Sequence, residues 1–259
     1  MPAIYLSVII PAYNEERRIV PTLQKVHTYL SSQPYTWEIL VADDGSTDAT
    51  PSLVENFAKS SEKLRLLRLA HKGKGWAVQQ GMLKAKGEYR FFADADLSMP
   101  IQFLERFLPQ NNADFDIAIA SRQSKGARRL NEPRLRYRMS RVFNFVSRTL
   151  ILPGISDTQC GFKCFRGSIA QELFPLQRIP GFSFDIEILF LAQKKGLKIS
   201  QIPIDWYYQG ESKVQRLRDA NLMVKDILLI RWNHLIGKYR KVDVTPSSNI
   251  GVPDEPKQR

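Results

Sequence analysis

Asp94 and Asp96 stand one residue apart, directly after Glu88-Tyr89-Arg90-Phe91-Phe92-Ala93, a run that reads as a short strand with turn-prone residues behind it. Two carboxylates this close repel each other unless a cation lies between them. A divalent metal with oxygen ligands, bridging to phosphate, suits that arrangement. In an open α/β sheet the carboxyl ends of the strands are also where ligands bind. Taken alone, an Asp-x-Asp triplet is equally a solvated loop, so its meaning rests on its neighbours.

Three earlier apolar runs end in the same way. Leu6 to Ile10 is followed by Pro11-Ala12-Tyr13-Asn14-Glu15, and Trp37 to Ala42 by Asp43-Asp44-Gly45-Ser46. Leu64 to Leu69 leads to His71-Lys72-Gly73-Lys74-Gly75. Between these strands the spacing predicts helices over Arg17 to Leu30, Asp48 to Lys59 (capped by Ser46 or Thr47) and Gly75 to Lys86. A further helix, Ile101 to Leu108, precedes a fifth strand, Phe115 to Ala120. Strands alternating with helices of this length predict an α/β, Rossmann-like, mostly parallel sheet flanked by helices. Such a sheet gathers the four strand-end loops on one edge. An aromatic such as Tyr13 can stack on a base, and Glu15, Asp43 or Asp44 can accept hydrogen bonds from ribose or base. Lys72 to Gly75 lets backbone and cation approach a diphosphate. A nucleotide-sugar fits this set. No Gly-x-Gly-x-x-Gly follows the first strand, and no Gly-x-x-x-x-Gly-Lys-[Ser/Thr] is present.

The 259 residues suffice for one full core, and the net charge of +12 implies an anionic partner. Two cysteines, Cys160 and Cys164, indicate neither a disulfide framework nor a zinc site and point to a reducing compartment. No run approaches the roughly 18 apolar residues of a membrane span, and no signal peptide is expected. From Arg122 to Arg148 nine basic residues face one acid, Glu132, among interleaved apolar residues. That stretch reads either as a solvated amphipathic helix or as a site for phosphate or anionic lipid. A last helix over Val214 to Tyr239, with aromatic and basic flanks, suits a membrane interface or packing on the parent domain. The Pro- and Ser-containing tail reads as disordered.

Taken in order, Ser7-Val8-Ile9-Ile10-Pro11-Ala12-Tyr13-Asn14-Glu15, Val41-Ala42-Asp43-Asp44-Gly45-Ser46-Thr47-Asp48, Lys72-Gly73-Lys74-Gly75 and Phe92-Ala93-Asp94-Ala95-Asp96 resemble the family 2 inverting glycosyltransferases of GT-A fold. Asp157 to Lys163 and Phe182 to Glu187 are similar to the polyprenyl-phosphate sugar synthases within that family. The resemblance implies one GT-A domain over residues 1–240. Residues 5–121 form its nucleotide-sugar half, 122–240 an acceptor- and membrane-facing half ending in a helical extension, and 241–259 the tail. It further implies that Pro11, Tyr13, Glu15, Asp44, Lys74 and Asp94 contact the nucleotide-sugar. Asp94 and Asp96 would hold Mg2+ or Mn2+. Arg122, Arg136 and Lys213 would meet the acceptor phosphate, with Asp96, Arg122 and Arg136 catalytic. The implied reaction moves a hexose, glucose before mannose, from a nucleoside-diphosphate sugar to a polyprenyl or dolichyl phosphate. The implied location is peripheral, on the cytoplasmic face of a membrane, with no nucleic acid as partner. At Ser98 the sequence departs from the mannosyl synthases, which often carry a metal-binding Gln there.

Three other readings stay open at this stage. The acceptor could be a soluble saccharide hydroxyl, with Asp185 or Glu187 as general base. The chain could be a non-catalytic basic nucleotide-binding protein. A nucleotidyltransferase would usually show a Gly-rich signature where this chain has Pro-Ala-Tyr-Asn-Glu.

Overall fold

The computed structural model describes residues 3–112, 114–208 and 216–239, without the side chains of Leu135, Arg136, Val142, Phe143, Val146 and 216–221. The first half alternates as β1 (Leu6–Ala12), α1 (Ile19–Ser31), β2 (Trp37–Asp43), α2 (Thr50–Ala58), β3 (Leu64–Arg68), α3 (Lys74–Lys84) and β4 (Tyr89–Ala93). A 3-10 helix (Ile101–Phe107) leads to β5 (Ile117–Ser121). Then follow β6 (Arg128–Leu130), α4 (Arg134–Leu150), β7 (Phe162–Arg166), α5 (Gly167–Leu173), α6 (Phe184–Lys194), β8 (Ile199–Pro203), β9 (Asp205–Tyr207) and α7 (Arg216–Leu235).

Seven strands make one sheet in the order β3-β2-β1-β4-β7-β5-β8, and β6 pairs with β9 separately. β7 runs antiparallel to both its neighbours, β4 and β5, while the other contacts in the sheet are parallel. The carboxyl ends of β1 to β5 therefore share one edge, as expected. The inserted strand β7 was not foreseen, because Phe162-Lys163-Cys164-Phe165-Arg166 is short and carries a lysine in a position with no water around it.

The central strands β1, β2 and β4 are buried throughout because both faces are covered. Val8, Ile10 and Phe91 face α1 residues Ile19, Leu23, Val26 and Leu30 in one core. Ile9 and Phe92 face Ala77, Val78 and Met82 of α3, together with α6, in the other. α6 is buried along its whole length from Phe184 to Ala192, carrying Asp185 and Glu187 inside with it.

Two local expectations change. The segment Ile101–Phe107 is a 3-10 rather than an α-helix. Ser46 and Thr47 do not cap α2: Ser46 Oγ accepts the Asn14 N–H, and the Thr47 N–H donates to Asn14 Oδ1. The chain reaches helix geometry only after Asp48, whose Oδ1 accepts the Thr50 N–H. The 241–259 tail lies outside the described residues.

At the amino-terminal edge of the sheet, Glu38 is a closed carboxylate. It accepts the Ser7 hydroxyl at 2.7 Å, the Lys86 N–H at 2.7 Å and Arg65 Nη2 at 2.9 Å. Glu38→Ala is expected to lower unfolding free energy by about 1–3 kcal/mol, since it strands a buried hydroxyl and a backbone N–H. A urea midpoint lowered at unchanged slope is the readout; no shift would mean these bonds contribute nothing net.

Candidate active site

The strand order reverses between β1 and β4, which opens a crevice at their carboxyl ends. The β1–β4 ladder stops at Ile9↔Phe92, whereas β1–β2 continues to Ala12↔Asp43. Pro11 has no N–H with which to extend the ladder toward β4. On the β1–β2 side of the crevice the register sets Tyr13 beside Asp44, whose N–H donates to Ala12 O at 2.8 Å.

Asp44 is buried, and it fastens the loop that follows β3. Its Oδ1 accepts the Lys72 N–H at 3.0 Å, and its Oδ2 accepts the Gly73 N–H at 2.8 Å. His71 Nδ1 lies 2.8 Å from the same carboxylate. The His71 ring in turn stacks on Tyr13, with centroids 4.2 Å apart and planes 18° from parallel. Gly73 sits at φ 123°, and a Cβ there would lie 2.7 Å from Pro180 O, so the loop threads a space that only glycine fits. Glu15 pairs with Arg18 at 2.6 Å. Asp43 Oδ2 accepts the Ser46 N–H, while its buried Oδ1 has no hydrogen-bond partner.

The acid pair closes β4. The Asp94 N–H donates to Gly161 O, and a Cβ on Gly161 would lie 2.0 Å from Asp94 Oδ2, so the absence of a side chain at 161 is what admits this carboxylate. The loop is pinned from below by Thr22, whose Oγ1 donates to Ala95 O at 2.6 Å. Asp96 accepts the Ser98 N–H at 3.0 Å and also bonds its hydroxyl. Ser98 thus orients Asp96. Burial, and then the adjacent Asp94 carboxylate, push the Asp96 carboxyl above its usual range. Lys74, at the start of α3, lies 2.6 Å from Asp94 Oδ1. Burial works against its ammonium, but Asp94, Asp185 and Asp96 outweigh that and raise its pKa. Among the described residues no group of three or more His, Cys, Asp or Glu gathers at one point; the two carboxylates at this strand end are hard oxygen donors of the kind a divalent ion such as Mg2+ takes.

Next to this lies a second ion pair. Arg122, directly after β5, sets Nε 2.7 Å from Asp157 Oδ2 and Nη2 2.8 Å from Oδ1, a fork-to-carboxylate contact. Its backbone N–H adds a third bond to Asp157 at 2.9 Å. Arg129 of β6 lies 3.1 Å from Glu132 and donates to Ser140 of α4. Burial, and then Arg122 nearby, lower its pKa. Beneath the acid pair, Lys163 of β7 meets Asp185 at 2.7 Å and donates to Cys160 O.

Of the sequence-derived site residues, Pro11, Tyr13, Glu15, Asp44, Lys74, Asp94, Asp96 and Arg122 all lie along the carboxyl edge. The side chain of Arg136 and the whole of Lys213 lie outside the described residues. Glu187 is not a base: it accepts the Arg178 and Ile179 N–H groups and the Tyr239 hydroxyl, and so ties the start of α6 to the segment after α7. Asp185 is paired through Oδ1 with Lys163. His71, Asp157, Gly161, Arg129 and Lys163 were given no role from sequence. Asp157 carried a usable signal, being an isolated acid in a basic half of the chain. The closeness of Gly161 to Asp94 is set by β7, which left no periodic trace.

The Arg122–Asp157 pair makes a pH prediction. Burial opposes the charge on Asp157, yet Arg122 holds its carboxyl down to about 2. The unfolded carboxyl binds protons first, near its ordinary value of roughly 4, so the pair's stabilisation is full above that pH and is lost as pH falls through about 2. The difference in unfolding free energy between wild type and Asp157→Asn should therefore shrink as pH drops from about 5 toward 2. A difference constant with pH would contradict the pairing.

Residues 7–174 match the family described as Glycosyl transferase family 2. The chain is 35% identical over 253 residues to the dolichyl-phosphate beta-glucosyltransferase of Dictyostelium discoideum, covering 92% of this chain and 77% of that one. Against the human protein of the same name it is 33% identical over 259 residues, covering 92% and 78%. Among solved structures, glucosyl-3-phosphoglycerate synthase from Mycobacterium tuberculosis in complex with Mn2+, UDP and glucosyl-3-phosphoglycerate is similar in fold. Its TM-score is 0.66 at 20% identity, over 88% of this chain and 80% of that one. With its GT-A sheet and its acid pair at the end of β4, this chain belongs to glycosyl transferase family 2.

Proposed function

We propose that this enzyme transfers glucose from UDP-glucose, with inversion, to the phosphate of a dolichol-type polyprenyl phosphate. The observation that carries the proposal is the acid pair Asp94–Asp96 held beside Lys74 at the edge that also bears Tyr13 and Asp44. The acceptor follows from the relatives, which are named dolichyl-phosphate beta-glucosyltransferases and are 35% identical across 92% of this chain. The choice of UDP-glucose as donor is supported by the similarity in fold to glucosyl-3-phosphoglycerate synthase, which has been solved with Mn2+ and UDP-glucose.

In this reading Tyr13 and His71 offer their stacked rings to the base, and Asp44 keeps the Lys72–Gly73 backbone in place for the diphosphate. Asp94 and Asp96 would hold Mg2+ or Mn2+, which would supply positive charge for the leaving diphosphate. A lipid monophosphate is already anionic at neutral pH and needs no strong base. That agrees with the engagement of Asp185 and Glu187, and it favours a phosphate acceptor over a saccharide hydroxyl. Arg122, fixed by Asp157, presents a rigid cation at the acceptor side. Arg136 and Lys213 add further charge for the acceptor phosphate. In-line attack on the anomeric carbon then yields the β-linked lipid product.

The acceptor's tail calls for a bilayer surface, and we assign that surface to α4 and α7. Phe145 of α4 is 60% exposed, and Leu228, Trp232 and Leu235 of α7 are 61%, 59% and 77% exposed at helical spacing. Arg231 Nη1 donates to Leu150 O and joins the two helices. Arg141, Arg148, Lys225 and Lys238 are exposed alongside, which suits an anionic cytoplasmic leaflet. No helix among the described residues is long and apolar enough to cross a membrane.

Incubation with radiolabelled nucleotide sugars and polyprenyl phosphate should move label from UDP-glucose into organic extract. Asp96→Ala should lower that rate by about two orders of magnitude or more while leaving the melting temperature near wild type, and chelation should mimic it. Pyrophosphate release, or label only in water-soluble saccharide, would overturn the assignment.

Binding to vesicles should require anionic lipid and weaken with salt, each nearby basic residue contributing about 1 kcal/mol. Flotation with Trp232→Ser and Leu235→Ser is the check. Recovery in the soluble fraction under all conditions would remove α4 and α7 as a membrane surface.

A further inference from the structure

Five charged side chains lie near the β4 edge: the acid pair Asp96 and Asp94, then Lys74, Asp185 and Lys163. Lys74 Nζ is 2.6 Å from Asp94 Oδ1, and Lys163 Nζ is 2.7 Å from Asp185 Oδ1. The Lys163 and Asp185 side chains are only 1% and 5% exposed, those of Lys74 and Asp94 21% and 30%. The two pairs are brought together where α3 and α6 begin. A Cβ on Gly75 would lie 2.7 Å from Phe184 Cβ and 2.7 Å from Gly181 O, so the residues flanking that contact, Lys74 and Asp185, are held close. Lys74 is within electrostatic reach of Asp94, Asp185 and Asp96 together.

Lys74 therefore sits on one of the two oxygens that Asp94 would offer to a metal. Its ammonium offsets the Asp94–Asp96 repulsion, but it competes with a divalent ion for Asp94. A divalent ion on the Asp94 carboxylate would repel an ammonium held at bonding distance from the same group, which favours a second position for the lysine. Asp185 is a second carboxylate that acts electrostatically on the Lys74 ammonium, and a buried one. Lys163 does not exhaust it, because Lys163 is itself shared with Cys160 O at 2.7 Å.

We propose that Lys74 is a two-position cation, paired with Asp94 when the acid pair holds no metal and handed to Asp185 when a divalent ion binds. Asp185 is then a positioning residue: it acts on the metal site through Lys74, and Lys163 fixes its carboxylate for that purpose. No bond or proton is exchanged; the ammonium changes partner and the charge of the cluster is raised by the incoming ion alone. The proposal rests on the reading of Asp94 and Asp96 as the metal ligands.

Binding of Mn2+ alone, followed by the electron paramagnetic resonance signal of the free ion, gives a readout independent of turnover. Lys74→Met should tighten Mn2+ binding by about tenfold or more, since the competitor is gone. Asp185→Asn should weaken it in the native background and have a several-fold smaller effect in the Lys74→Met background. An equal effect of Asp185→Asn in both backgrounds would reduce Asp185 to a through-space charge and overturn the handover. Where Asp185→Asn does not fold, a crystal structure of the wild type with Mn2+ decides. Lys74 Nζ within hydrogen-bonding distance of Asp185 supports the proposal, and Lys74 still on Asp94 beside a bound ion overturns it. Failure of the wild type and of every variant to bind Mn2+ would instead overturn the metal reading itself, and the handover with it.

Discussion

Asp94 and Asp96 are held one residue apart at the end of a buried strand, and their mutual repulsion governs what surrounds them. Burial and the neighbouring carboxylate both act against the ionised form of Asp96. A fold that keeps two acids there must supply positive charge, and the protein supplies it from the start of α3 through Lys74. It must also keep the loop from relaxing away. Thr22 holds it from α1, Gly161 leaves room for Asp94, and Ser98 orients Asp96. Most of the contacts that bring β4, β7, α1 and α3 together near the site serve this one arrangement.

The two edges of the sheet handle carboxylates differently, and the contrast explains which edge is functional. Glu38, at the amino-terminal edge, is saturated by three donors that belong to the framework. At the carboxyl edge, Asp43 retains an oxygen with no hydrogen-bond partner, and Asp94 leans on a lysine on which a second carboxylate, Asp185, also acts electrostatically. Arg122 is an intermediate case. Its fork is fixed by Asp157 from beneath, which gives a cation with little freedom to reorient. Preorganised charge of that kind stabilises a developing anion without reorganisation at the moment of reaction.

The edge itself could be read from the sequence because parallel α/β folding leaves two independent traces, apolar runs and polar strand ends. Leu6–Ala12, Trp37–Asp43 and Tyr89–Ala93 fell within one or two residues of expectation. The second half left weaker traces. β7 is five residues long with a buried Lys163, and β6 and β9 are three residues each, too short for periodicity to register. Consequently Gly161 and Lys163 stood in a recognisable motif, but their roles beside Asp94 and Asp185 could not be assigned until the topology placed them. Ser46 and Thr47 were misread for a local reason. Both are good helix caps by type, but the Asn14 loop claims them first. Glu187 was a base candidate only under a saccharide acceptor, and in the structure three donors already occupy it.

On the proposed reading the acid pair forms half of a site that a nucleoside diphosphate would complete through a divalent ion. Two protein carboxylates alone bind such an ion weakly, and the diphosphate alone meets an edge rich in negative charge, so each should need the other. Calorimetric titration of Mn2+ into the protein with and without UDP measures this directly. Mn2+ affinity should rise at least about tenfold with UDP present, UDP affinity should rise by the same factor with Mn2+, and UMP should produce little coupling. Mn2+ affinity unchanged by UDP, or UDP binding equally well in chelator, would contradict the account.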